Sequence, residues 1–260
     1  MRCCMNIKEL YDHLCDLAPK ELSCQWDNDG LMAAADLSRE VKRVLISLDA
    51  TEAAVKYAAE HGFDVLLTHH PMIFKGPKNV TPLSLDGRRI IASLTGGVTV
   101  MSFHTRLDAA ENGVNDELCR VLGLEADGVF GDEEAPTLGR LATLPEGMTL
   151  RELAAHVKRS LGAPMVKLIT LDPDQVVTRI ALCGGDGKSF TYPALHEGAE
   201  VLITGNSSYN AAQDGAECGI ATIEAGHFET EEPVCAVLAE KMKALGLYFE
   251  RYTSLVEYVI

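Results

Sequence analysis

One short pattern occurs twice in this chain and limits the folds open to it. Glu60-His61-Gly62-Phe63-Asp64-Val65-Leu66-Leu67-Thr68 and His196-Glu197-Gly198-Ala199-Glu200-Val201-Leu202-Ile203-Thr204 both run helix end, glycine, acid, apolar strand, threonine. In each half a later strand closes on a histidine with a carboxylate four residues on: Gly97 to His104 with Asp108, and Gly219 to His227 with Glu231. Strand, helix, strand is the unit of a parallel sheet. The expectation is an α/β protein of two similar halves, a pseudo-repeat packed across a cleft in which equivalent strand ends meet. Open α/β sheets bind their ligands at such ends.

The remaining elements fill in around the repeat. Ile7, Leu10, Leu14 and Leu17 fall at helical spacing behind Asn6 as N-cap, and Pro19 ends that helix. Val44–Leu48 reads as a strand, Thr51 caps a helix over 52–60, and 64–68 is the next strand. A helix over 88–94, a strand over 97–103 and a helix over about 113–122 complete the first half. Residues 125–137, rich in Gly, Asp, Glu and Pro, mark the boundary, giving halves of about 1–130 and 131–260. The second half opens with a strand over 138–144 and a helix over 149–161, begun by the capping-box pattern Thr149-Leu150-Arg151-Glu152. Strands over 166–171 and 179–183 follow, the latter running into Gly184-Gly185-Asp186-Gly187-Lys188. The segment from about 231 to 260 either packs on the second half or crosses back to the first.

A formal net charge of −15 argues against nucleic acid as the main partner, because phosphate binding needs a basic surface. No stretch approaches eighteen uninterrupted apolar residues, and the N-terminal residues lack an apolar signal core, so no membrane partner is expected and the location expected is the cytoplasm. Cys119, Cys183, Cys218 and Cys235 sit singly in apolar segments, the pattern of buried reduced cysteines. Cys3-Cys4 is too tight for an ordinary bridge, and no CxxC pair exists for structural zinc.

Chemistry concentrates at strand ends. The strand Val65-Leu66-Leu67-Thr68 stops at His69-His70-Pro71, and the proline prevents it from continuing. Adjacent strand residues point to opposite faces, so one of this pair could be a ligand and the other a packing residue. Pooled with the histidine–acid pairs, the candidate metal ligands are His69, His70, His104, Asp108, His227 and Glu231. Nitrogen and oxygen donors without thiolates favour Zn, Mn, Fe, Co or Ni. Six donors shared by two divalent ions leave open positions, and a metal-bridging hydroxide would provide the nucleophile. Thr230 reads as the N-cap of a helix over 231–241, with Glu231 at its positive end. Asp49 is a candidate acceptor for a ligand imidazole, and Lys75, Arg106 and Lys188 are candidates for orienting an anionic substrate. Gly184 to Lys188 could cradle a phosphate, although a glycine turn is more often only a turn. Trp26-Asp27-Asn28-Asp29-Gly30-Leu31 reads as an ordered turn around the one tryptophan.

These motifs together resemble the Nif-three-like family, dinuclear-metal-centre proteins labelled GTP cyclohydrolase type 2 homologues. The resemblance rests on Trp26 to Leu31, on Thr68-His69-His70-Pro71-Met72-Ile73-Phe74, on His104-Thr105-Arg106-Leu107-Asp108-Ala109-Ala110 with Gly113-Val114-Asn115-Asp116, and on Gly226-His227-Phe228-Glu229-Thr230-Glu231. It implies two metal ions on the same six residues, a Nif-three-like fold in its short form, and a toroidal homohexamer. This chain departs from the family pattern at Asn206 and Asn210, where Asp and His are usual, and at Arg106, where Asn is common. The function expected is a metal-dependent hydrolase of a small molecule or nucleotide; the alternative is a non-enzymatic metal-binding or regulatory hexameric scaffold.

Overall fold

The computed structural model describes residues 5–253 and 256–259; Cys3 and Cys4 lie outside them. In chain order the helices and strands are α1 (Ile7–Leu17), β1 (Gly30–Ala33), β2 (Arg43–Ser47), α2 (Glu52–Glu60), β3 (Val65–Thr68), α3 (Leu85–Thr95), β4 (Thr99–Ser102), α4 (Thr105–Ala109), α5 (Val114–Val121), β5 (Ala126–Phe130), β6 (Gly139–Thr149), α6 (Leu150–Leu161), β7 (Lys167–Ile169), β8 (Val176–Asp186), α7 (Thr191–His196), β9 (Val201–Asn206), α8 (Tyr209–Glu217), β10 (Ala221–Glu224), α9 (His227–Glu231), α10 (Val234–Ala244) and β11 (Tyr248–Arg251). They form two compact units. The first runs through Ala110 and resumes from Cys235 to the C-terminal strand; the second is Glu111–Val234. The division falls ahead of the boundary expected over 125–137, because β5 lies inside that polar stretch and pairs with β6.

The first unit is built on a sheet ordered β1-β4-β3-β2-β11. Strands β4, β3, β2 and β11 are parallel and β1 is antiparallel to β4. The C-terminal segment thus returns to the first sheet, with Phe249 opposite Val44. Parallel strands buried on both faces read as continuous apolar runs, and Val65, Leu66 and Leu67 are all buried. Helices α2 and α3 lie against the sheet through Ala54, Val55, Ala58 and Ile90, which share a core with Leu45, Phe63, Leu66 and Val100. The small alanines let α2 approach closely.

The second unit carries a sheet ordered β5-β6-β8-β9-β10-β7, in which β8, β9 and β10 are parallel and the outer strands antiparallel. Its core joins Leu118 of α5, Leu122 just after it and Leu150, Leu153 and Val157 of α6 to Ile180, Leu182, Val201 and Ile223 of the sheet. The parallel triplet β2-β3-β4 therefore has its counterpart in β8-β9-β10, and the repeated acid has a structural job in each. Asp64 accepts from the backbone N–H of Lys42 (2.8 Å) and Arg43 (3.0 Å), at the start of β2. Glu200 accepts from the N–H of Thr178 (2.8 Å) and Arg179 (3.0 Å) on β8. The preceding glycines take the left-handed conformation that ends a helix, Gly62 at φ 69° and Gly198 at φ 76°.

The helix expected from Thr230 begins earlier. Gly226, at φ 97°, starts α9 at His227, and Pro233 separates it from α10. Thr230 is inside α9, where its hydroxyl bonds Gly226 O at 2.9 Å. Glu231 consequently lies at the end of a short helix rather than in the first turn of a long one. Cys119, Cys183 and Cys235 are buried as expected, whereas Cys218 is exposed at the end of α8.

Candidate metal centre

In the first unit, four donors sit at the C-terminal ends of neighbouring parallel strands. β3 ends at Thr68, whose hydroxyl donates to His70 O (2.8 Å) and meets Ser102 Oγ (2.8 Å) at the end of β4. His69 follows, fully buried, and His70 is half-buried. The alternation expected of a strand does not separate them, since pairing of β3 stops at Thr68; their ring centroids lie 4.9 Å apart. Two residues beyond β4, His104 (φ −100°, ψ −116°) turns the chain into α4, which places Asp108 one turn on. Asp108 Oδ1 is 3.6 Å from His69 Nε2. Ligand atoms of His69, His70 and His104 all fall within 4.8 Å of one another.

Each imidazole is oriented through Nδ1. His69 donates to Phe103 O at 2.9 Å, His70 to Asp49 Oδ1 at 2.8 Å, and His104 to Asp27 Oδ1 at 2.9 Å. A carbonyl or carboxylate acceptor selects the neutral tautomer protonated at Nδ1, with the lone pair on Nε2. Histidines that bind metal are held in this way. The tautomer and the convergence together fit a divalent cation.

Asp27 is the partner that the sequence did not single out. It also accepts from Thr105 N (3.1 Å) and Thr105 Oγ1 (2.6 Å). Burial alone would raise its carboxyl; the hydrogen bonds from His104 and Thr105 outweigh burial and hold it at about 2. The turn around Trp26 is thus a bracket for His104, and the available signal was an Asp in a loop of turn formers. Asn28 Nδ2 donates to Ile73 O at 2.5 Å, tying this loop to the segment that follows the histidine pair.

Arg106 does not reach this site as a solvent-facing cation. It is fully buried, 3.2 Å from Asp29 Oδ2, with its guanidinium 4.2 Å from the Phe103 ring centroid. Its place in α4 turns it toward α1 and the Asp29 loop, so it braces the bracket rather than a substrate. Lys75 is exposed.

The second unit holds the other two candidates. His227 Nε2 lies 3.1 Å from Glu231 Oε2 across one turn of α9, and His227 Nδ1 donates to Asn206 Oδ1 at 2.9 Å. Glycine is required beneath them: a Cβ at Gly185 (φ 67°) would sit 2.0 Å from Glu231 Oε1, and one at Gly205 would sit 2.7 Å from His227 Cα. The Gly184–Lys188 turn uses its amides within the chain. Gly184 N bonds Asn115 Oδ1, Gly185 N bonds Thr230 Oγ1, Gly187 N bonds Asn206 O, and Lys188 N bonds Asp186 Oδ1. Lys188 Nζ pairs with Asp186 at 2.9 Å, so the turn offers no phosphate cradle. Asn210 is exposed in the first turn of α8.

The repeat is offset by one residue at its histidines. Phe103 N bonds Thr68 O and Ala225 N bonds Thr204 O, which makes Phe103 and Ala225 equivalent. His104 therefore matches Gly226, and His227 matches Thr105. The two halves share a scaffold but present their histidines from different positions on it.

A family model described as Duf34/NIF3 (NGG1p interacting factor 3) matches residues 5–254. A Clostridium perfringens protein named GTP cyclohydrolase 1 type 2 homolog is 34% identical over 98% of this chain and 96% of its own length. A protein of the same name from Clostridium acetobutylicum is 32% identical over 92% of this chain and 90% of its own length. The crystal structure of a hypothetical protein from Staphylococcus aureus superposes with a TM-score of 0.86 at 25% identity, covering 99% of this chain and all of that one (100%).

Proposed function

This chain belongs to the Duf34/NIF3 family, and from that premise we propose that it is a dinuclear-metal hydrolase acting on a small molecule or nucleotide. The observation that carries the reading is the trio His69, His70 and His104, each fixed through Nδ1 and converging within 4.8 Å. His69, His70, His104 and Asp108 of the first unit and His227 and Glu231 of the second are the proposed ligands of two divalent ions drawn from Zn, Mn, Fe, Co or Ni. When bound, such ions supply Lewis acidity and lower the pKa of water to about 7. The chain's own part is positional. Asp27, Asp49 and Phe103 O orient the imidazoles, Asn206 orients His227, and the buried Asp108 and Glu231 carboxylates balance cationic charge. The name shared by the Clostridium relatives supports a purine nucleotide as substrate class.

The test is elemental analysis of the purified protein, per chain, against the His69→Ala, Glu231→Ala double variant, with a hydrolase substrate panel run on both. Close to two ions per chain, lost together with turnover in the variant, is expected. Full metal content without turnover on any substrate would leave the metal-binding scaffold as the function, and absence of metal after reconstitution would overturn the reading. The homohexamer implied by the family resemblance is proposed with it and is tested by light scattering. Among the described residues, no helix is long and apolar enough to cross a membrane.

A further inference from the structure

Beside the three histidines, the first unit exposes two large aromatic rings. Trp26 is 46% exposed and Phe74 45%. Their ring centroids lie 6.2 Å apart, and each lies 6.3 Å from the centroid of His104, with interplanar angles of 73° and 83° to the imidazole. The three rings make a nearly equilateral triangle with one corner in the donor set.

The two aromatics are also anchored. Asp27, next to Trp26, is bonded to His104 and to Thr105 N and Oγ1. Cys24 N donates to Thr105 Oγ1 at 3.0 Å, and Asn28 fastens the Trp26 loop to Ile73 O, next to Phe74. Packing around His104 alone would favour covering both rings, because large aromatic surface is stabilised by burial. Held in place yet half in solvent, and tilted 56° to each other, they offer one planar ligand a ring face to stack on and a second ring to meet at its edge.

We propose that Trp26 and Phe74 bind the planar ring of a heteroaromatic small molecule, a purine nucleotide above all, whose polar remainder faces the histidine cluster. Base stacking on aromatic side chains tolerates different bases, and larger rings stack more strongly. The platform selects for ring area and leaves orientation of the reacting group to the polar residues. The inference takes its position from the metal-centre reading but depends on the aromatic rings alone.

Trp26 is the only tryptophan, so its emission reports directly on the proposed contact. The experiment titrates the purified protein with GMP, AMP, UMP and ribose 5-phosphate, exciting at the red edge and correcting against free tryptophan amide, with metal content measured on the same samples. Saturable quenching is expected, strongest for GMP and AMP, weaker for UMP and absent for ribose 5-phosphate. Phe74→Leu is expected to weaken GMP at least fivefold, Phe74→Tyr to restore it, and metal content to stay unchanged in both, a split that mere support of His104 would not give. Quenching by GMP in protein that stays free of metal after reconstitution would keep the platform while removing the metal reading. Metal-loaded protein that no nucleotide quenches, or ribose 5-phosphate binding as well as GMP, would overturn the proposal. So would emission that responds to protein concentration and not to nucleotide, which would assign the rings to a contact between copies of the chain.

Discussion

Asn206 accepts the Nδ1–H of His227 across 2.9 Å, the role that Asp49 plays for His70 and Asp27 for His104. The sequence departure at Asn206 therefore keeps the hydrogen bond and gives up the charge. Asn206 Nδ2 also donates to Asp186 Oδ1 at 3.3 Å, which a carboxylate could not do. Asn206→Ala is expected to weaken retention of metal by His227 roughly tenfold, the low end of what loss of an orienting partner costs. Competition with a coloured chelator measures it, and unchanged retention would show that His227 needs no orienting partner.

Asp27 joins the Trp26 loop to His104 and Thr105, and its carboxyl is held at about 2 against an ordinary 3.8. A depressed carboxyl contributes stability that is present above the unfolded value and is lost as pH falls through the folded one. The contribution at neutral pH is about 1–2 kcal/mol once partial solvent screening is allowed for. Urea unfolding of the chelator-treated protein should show Asp27→Asn less stable by about that amount at pH 7, with the gap closing between pH 4 and 2.

The repeat was legible because its acid has a local task. Asp64 and Glu200 each bond two successive amides on the edge of a neighbouring parallel pairing, and that requires an acid at one fixed distance after the helix-ending glycine. The hydrogen bonds at Thr178 and Arg179 lower the Glu200 carboxyl against the opposing effect of burial. Glu200→Gln is expected to lower stability by less than about 1 kcal/mol above pH 5, Glu200 being only partly buried, and to remove that part of the acid-limb slope below the ordinary carboxylate range. Parallel pH titrations of thermal unfolding test the difference.

What sequence reading left out shares one physical character: it depends on pairing across long separations. β1 is four residues beginning at a left-handed glycine, and only Met101 and its neighbours on β4 make it a strand. β5 hides among turn formers because its partner is β6. β11 belongs to the first sheet through β2, at the far end of the chain. The six candidate ligands could be picked out because strand ends and helix starts are local signals. The residues that aim them, Asp27 and Phe103 among them, are chosen by tertiary contact, which no spacing along the chain records. Asp49 was the exception, since it closes a strand of its own.

Arg106 shows the same limit most sharply and supports a large predicted effect. Its guanidinium is enclosed by Asp29 at 3.2 Å, Ala18 O at 3.4 Å, Cys15 Sγ at 3.6 Å and the Phe103 ring, and Gly30 clears space for it: a Cβ there would lie 3.0 Å from its terminal nitrogen. Burial works against the charge, but the Tyr11 hydroxyl and Asp29 more than offset it and raise the arginine further. Asp29 also contacts Lys20, Ser23 and His104 N, so the pair fastens the site bracket to α1 and β4. Removing the cation leaves the buried Asp29 carboxylate beside an apolar side chain with Lys20, at 2.6 Å, as its remaining cation, so the loss is smaller than the ~3–5 kcal/mol of a buried charge left without any partner. Arg106→Met should therefore lower the unfolding midpoint, while Arg106→Met with Asp29→Asn should recover part of the loss. The double-variant cycle by urea denaturation decides it: strictly additive losses would mean that the arginine acts through packing on Phe103 and not through its charge.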